Sequence, residues 1–250
     1  MSVRFEAAAA DPAGTVAELR ARVDAATAGI LRTAAGISDE QARGASLLPG
    51  WSRGHVLTHV ARNADGLANL LIWARTGVET PQYASQEARD AAIAAGQGRP
   101  AAELLADLSE SAAAFACQAA ALAGQDWLAE VHGLHGQPHP AWYTLRRRLT
   151  EVEIHHVDLD AGYRPADWPP EFAAEWLEQV AGDFAGPESP AVVLRSSDTG
   201  NLYRIGPGEQ APTAAITGTS HDLLAWLIGR SPGDRLATEP PGPLPSLPAW

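Results

Sequence analysis

Across the first two thirds of the chain, apolar residues come in long Ala- and Leu-rich stretches, interleaved with Arg and Glu and cut by short Gly- or Pro-bearing breaks. That pattern reads as helices. Asp11-Pro12 starts one over 11–33. Ser52 can cap a second that runs to Thr76, where Gly77 stops it. A loop with Glu79-Thr80-Pro81-Gln82-Tyr83 follows. A short helix over 85–95 ends in Gly96-Gln97-Gly98, and Pro100 opens a long one over 100–123. The His- and Gly-rich loop 132–140 leads into a helix over 141–161, closed by Gly162. Four long helices joined in this way predict an antiparallel bundle.

The pattern changes after Arg164. Pro165, Pro169 and Pro170 mark a linker, and a helix over 171–184 follows. Two β-rich runs, 191–195 and 202–205, flank a turn over 196–201; a third strand covers 213–217. Ser220 caps a helix over 221–229, and the Pro-rich tail 239–250 reads as extended. The expected fold class is α+β with two domains, a four-helix bundle over 1–164 and a small α+β domain over 165–250.

Composition narrows the chemistry. At 250 residues, 46% hydrophobic and 19% charged, the chain has a globular balance, and no apolar run approaches the ~18 residues of a membrane span. The first six residues lack the basic start and apolar stretch of a signal peptide, so a soluble, cytoplasmic protein is expected. A net charge of −12 argues against sequence-independent nucleic-acid binding. All 18 basic residues are arginine, which excludes lysine Schiff bases and a P-loop lysine. The one cysteine, Cys117, lies in the apolar run 112–122 and is expected to be a small buried hydrophobe. Thiol chemistry would then need a thiol from outside the chain.

Two segments carry candidate ligands. One predicted helix offers His55 and His59, another Glu151 and His155, each pair four residues apart and so on one face. Facing helices of a bundle can bring these groups together as a nitrogen and oxygen site. Two imidazoles and one carboxylate suit zinc, with a fourth position open. Spacing alone does not choose between His55 and His59. It also leaves room for a plainer reading, with His55 a first-turn surface group, His59 a core histidine and Glu151 a solvated charge. Asp158, three residues beyond His155, can orient its ring or form a surface ion pair. Glu153 is expected to be exposed; His156 is either a partner of the site or exposed. His132, His135 and His139 are expected to face solvent, and Trp51 and Trp73 to pack in the core.

The stretch from Gly50-Trp51-Ser52-Arg53-Gly54-His55 to Asn63, then Trp73 to Gly77 with Glu79 to Tyr83, and Glu151 to Leu159, resembles the mycothiol-dependent maleylpyruvate isomerases, part of the DinB-like superfamily of metal-binding helical bundles. The resemblance extends over nearly the whole chain. It implies His59, Glu151 and His155 as ligands of Zn2+ or another divalent metal, and mycothiol as thiol cosubstrate. The Gly229-Arg230 pair matches a functionally important arginine of the family. The implied reaction turns maleylpyruvate into fumarylpyruvate, a step of gentisate breakdown, by thiolate addition, bond rotation and elimination. Arg230 is the expected group for the enolate or a substrate carboxylate, and Arg148 a second candidate. Tyr83 is expected to line the pocket, which would lie between the domains. The expected partners are a small anionic substrate and a low-molecular-weight thiol, with no nucleic acid and no membrane; the chain would be a monomer or homodimer. Rival readings are a mycothiol S-transferase acting on another electrophile, a non-enzymatic metal- or ligand-binding protein, and hydrolysis by metal-activated water.

Overall fold

The computed structural model describes residues 12–134 and 136–250, so Asp11 and His135 lie outside the described residues. The chain divides into two compact units, the first ending at Gly162 and the second spanning Tyr163–Trp250.

The first unit holds α1 (Pro12–Ala35), α2 (Asp39–Arg43), α3 (Arg53–Thr76), α4 (Gln86–Gly96), α5 (Ala101–Ala121) and α6 (Tyr143–Asp158). Inside the His- and Gly-rich loop, β1 (Glu130–Val131) pairs antiparallel with β2 (His139–Pro140). Both α1 and α3 pack against α5 and α6, and α4 lies on α3.

Helix α3 is set by local signals at both ends. The Ser52 side chain accepts from the His55 amide, and Gly77, left-handed at φ 70°, donates its amide to the Trp73 carbonyl. Between them, Val56, Leu57, Val60, Ala61, Ala64, Leu67, Leu70 and Leu71 are all buried. Burying each Leu side chain contributes roughly 1.5–3 kcal/mol. Because partners surround α3, its polar His59 and Asn63 are buried as well. Two glycines on α3 allow close approach. A Cβ on Gly54 would run into the backbone carbonyl of Gln97, and one on Gly66 would sit 2.9 Å from the Tyr83 ring.

Helix α6 is shorter than the expected 141–161. The chain breaks after it, with Asp160 at φ 49° and Gly162 at φ 100°. Arg53 holds this break through the carbonyls of Leu159 and Asp160, at 2.7 and 2.8 Å. Cys117 is exposed, against expectation. The inner face of α5 carries Leu104, Leu108, Ala112, Phe115 and Ala119, and Cys117 falls on the other side. Glu153 reverses the other way: it is buried, because α1 and α3 both cover α6.

In the second unit, α7 (Pro170–Asp183) and α8 (Ser220–Leu227) pack on each other and against a four-stranded sheet. The sheet has the order β4-β3-β5-β6, built from β3 (Val192–Ser196), β4 (Leu202–Ile205), β5 (Ala214–Gly218) and β6 (Ala237–Glu239). β3 runs antiparallel to β4 and parallel to β5, and β6 is antiparallel to β5. The cap of α8 is Thr219, not Ser220; the Ser220 hydroxyl donates to Asp198 instead, at 3.0 Å. Among the described residues, no helix is long and apolar enough to cross a membrane.

Candidate metal centre

Nearly two turns into α3, His59 faces the i,i+4 pair Glu151 and His155 of α6. The His59 Nε2 lies 3.0 Å from Glu151 Oε2 and 3.0 Å from His155 Nε2. His155 Nε2 lies 3.4 Å from the same carboxylate oxygen. Among the described residues, these three form a group able to hold a metal ion. The spacing fits. Zinc bonds of about 2.0–2.1 Å in a tetrahedron set neighbouring ligand atoms roughly 3.3 Å apart. Three protein donors leave a fourth position, and Glu151, with 29% of its side chain exposed, keeps the cluster reachable from solvent.

The outer partners of the two histidines differ. His155 Nδ1 meets Asp158 Oδ2 at 2.8 Å, and Asp158 is fully buried. This is the usual carboxylate backing of a metal-bound imidazole. His59 Nδ1 instead meets the Arg89 guanidinium of α4, Nη2 at 3.1 Å. Trp51 presses its ring edge-on to His59, with centroids 5.6 Å apart.

Charge at the cluster follows from these contacts. Burial drives His59 below its ordinary pKa, although the Glu151 carboxylate pulls the other way. Burial also opposes charge on His155, but its bonds to Asp158 and Glu151 outweigh that and lift it to about 9. Burial pushes the Glu151 carboxyl up, and the bonds from His155 and His59 overcome it, holding the group well below the carboxylate range.

The other candidates fall into place around this centre. His55 is not part of it: its Nδ1 accepts from the Ser52 amide at 3.1 Å, and its ring stacks on Trp51. The capping box therefore separates the two histidines that spacing left equivalent. Trp51 itself bridges the rings of His55 and His59 instead of packing only in the core. His156 is neither exposed nor turned to the cluster; it is buried, with Nε2 2.7 Å from Thr33 Oγ1 of α1. His132 packs its ring against Trp73, and His139 is half-buried with its ring against Tyr143.

Arg148, the second candidate for the enolate or a substrate carboxylate, is fully buried. Its Nη1 donates to the Val60 carbonyl at 2.8 Å and to Asn63 Oδ1 at 2.9 Å. Burial lowers its pKa to about 10 against the pull of the Glu151 charge, so it balances that carboxylate from beneath. Tyr83 is half-buried in the space Gly66 leaves; burial and then the Glu151 charge raise its hydroxyl pKa. Arg230 belongs to the second unit. It follows the left-handed Gly229 that ends α8, and its Nη1 donates to the Ile228 carbonyl at 2.6 Å. Arg89 had no sequence signal: one Arg in an Ala-rich helix shows its place only once α4 is docked on α3.

Comparison with known proteins identifies relatives of the chain and its fold. The family model of the mycothiol maleylpyruvate isomerase N-terminal domain matches residues 23–160. The model of the MDMPI C-terminal domain matches residues 167–249. The fold is similar to the crystal structure of a mycothiol-dependent maleylpyruvate isomerase, with a TM-score of 0.84 and 30% identity over 94% of this chain and 97% of that one. A mutant of such an isomerase, with one histidine replaced by alanine, is similar at 29% identity and a TM-score of 0.84, with 94% and 97% covered. No curated protein matches the chain by sequence.

Proposed function

Since the chain belongs to the mycothiol maleylpyruvate isomerase family, we propose that it catalyses the thiol-dependent cis–trans isomerisation of maleylpyruvate to fumarylpyruvate, with mycothiol as the thiol and His59, Glu151 and His155 as metal ligands. The observation that carries the reading is the three-donor cluster at tetrahedral spacing. A zinc ion held by these three residues would lower the pKa of a bound thiol and act as a Lewis acid.

The chain's residues do the rest. Asp158 holds the His155 ring with Nε2 toward the cluster. Glu151 supplies the anionic donor, and buried Arg148 balances part of its charge. Rotation about a C=C bond is slow, so the π bond must first be broken. The thiolate sulfur of mycothiol bonds to one alkene carbon, and the π electrons move into the conjugated carbonyl as an enolate. The carbons, now singly bonded, rotate. The enolate electrons then re-form the alkene in the trans geometry and expel the thiolate, so the thiol is regenerated. The enolate calls for a fixed positive group, and Arg230 is the proposed one. Cys117, the chain's own thiol, is exposed on α5 and is not among the cluster residues, which supports an external nucleophile.

The test is turnover of maleylpyruvate by zinc-loaded protein, followed by the loss of its ultraviolet absorbance with and without mycothiol. Catalytic, thiol-dependent conversion to fumarylpyruvate is expected. Absence of thiol-dependent turnover overturns the reading, and a thiol adduct that accumulates as product points to an S-transferase on the same scaffold.

A further inference from the structure

The three candidate ligands come from two helices, His59 from α3 and Glu151 with His155 from α6. A metal centre tolerates errors of only about ±0.2 Å in its bond lengths. Sliding one helix past the other by a single residue moves a ligand by about 1.5 Å. Glu151 and His155 keep their mutual spacing because they share a helix. The spacing of both to His59 depends on how α3 is held against α6. Apolar contact between the helices is non-directional, so a directional contact is needed to fix their register.

Arg148 makes that contact. It lies three residues before Glu151 and seven before His155, and the two groups it binds lie one and four residues beyond His59. Its Nη1 donates to the Val60 carbonyl at 2.8 Å and to Asn63 Oδ1 at 2.9 Å. The remaining nitrogens, Nε and Nη2, have no hydrogen-bond partner among the described residues. The hydrogen bonds of this side chain to the described residues therefore all go to α3. None of the atoms involved is a ligand atom of the cluster, so the joint does not depend on what the cluster holds.

The setting makes the joint stiff. Arg148 is 0% exposed and Asn63 2% exposed, so water does not compete for these bonds. A bond from a charged donor is also stronger than one between neutral groups. A helical carbonyl has a second lone pair, so Val60 can accept from Arg148 without giving up its place in α3. Burying a charge is costly, and an apolar side chain of similar volume often serves a core as well or better. What an apolar side chain cannot do is tie a chosen turn of α6 to a chosen turn of α3.

We propose that Arg148 is a positioning residue of the metal centre: by binding the Val60 carbonyl and the Asn63 side chain, it fixes the register of α3 against α6 and so sets the distance from His59 to Glu151 and His155. This rests on the reading of His59, Glu151 and His155 as metal ligands. It gives Arg148 a task inside the bundle, away from any substrate.

The test needs no turnover. Wild type, Arg148→Met, Arg148→Lys and Asn63→Ala are compared as full chains. Zinc affinity is measured by competition with a chromophoric chelator. The visible spectrum of the Co2+-loaded protein reports the geometry of the ligands, and the thermal midpoint of the metal-free protein reports folding. Arg148→Met should fold, bind zinc about 10-fold to 100-fold more weakly, and show altered Co2+ bands, as for a lost partner of the ligand shell. Arg148→Lys keeps the charge and one donor to α3, and should recover part of the affinity. Asn63→Ala keeps Arg148 and removes one acceptor; it should weaken zinc binding several-fold and shift the Co2+ bands in the same direction. If Arg148→Met does not fold, Asn63→Ala decides alone. A lowered thermal midpoint with unchanged zinc affinity and unchanged Co2+ bands overturns the proposal and leaves Arg148 as core support only. Full recovery in Arg148→Lys overturns it too, since charge and not the two-point grip would then set the site. If the wild type binds neither Zn2+ nor Co2+, the metal reading itself fails and this one falls with it. If the variants behave as expected but maleylpyruvate is not isomerised with mycothiol, the isomerase reading fails and this one stands.

Discussion

Zinc must displace the hydrogen that His155 holds on Nε2 before it can bind there. With His155 lifted to about 9 by Asp158 and Glu151, protons compete with the metal throughout the neutral range. The sign is fixed: raising the pH removes the competitor. Zinc affinity should therefore climb by about tenfold per pH unit from pH ~7 and level off above the His155 pKa. Chelator competition across pH measures this, and a flat profile would contradict it. Asp158→Asn should move the plateau to lower pH, because the neutral amide no longer favours the charged ring. It should also cost about 10-fold to 100-fold in plateau affinity, the usual effect of losing an outer carboxylate.

At the scale of elements, the connection between α4 and α5 sits so close to α3 that only glycine fits at position 54. Gly54→Ala drives a methyl group into the Gln97 backbone carbonyl, which cannot rotate away as a side chain would. The expected cost is about 1–3 kcal/mol, read as a lowered thermal midpoint of the metal-free protein. Gly54 lies inside the segment that marks the family in the sequence, and the structure gives its reason as close approach instead of a turn. Helix α3 was legible because Ser52 and Gly77 are local signals, and the i,i+4 ligand pairs were legible because helix geometry alone puts them on one face. Helix α2 and strand β6 are too short to carry a periodicity. The burial of Glu153 and the exposure of Cys117 depend on which neighbours cover α6 and α5, and an Ala-rich helix does not announce its inner face. Arg89 was illegible for the same reason. Its partner His59 is 30 residues away, and only the docking of α4 joins them.

For the whole molecule, the division of labour runs along the chain. The three candidate ligands and their outer partners come from the unit that ends at Gly162, and Arg230 comes from Tyr163–Trp250. Arg230→Ala should therefore leave zinc affinity unchanged. If Arg230 holds the enolate or a substrate carboxylate, the same change should lower turnover of maleylpyruvate about 100-fold to 1000-fold, the range seen when one stabilising donor is removed. Parallel metal titration and steady-state kinetics on the full chain separate the two effects; loss of zinc binding would show that the change acts on the bundle instead.

Cys117 gives the molecule a single address for thiol-reactive labels. The sequence has one cysteine, and its sulfur stands on the outer side of α5, inside the same unit as the cluster. A nitroxide attached there, with Cu2+ in the place of zinc, would form one spin pair per chain. Dipolar broadening would then report occupancy of the centre and its distance from α5, with no substrate present and no residue of the site altered.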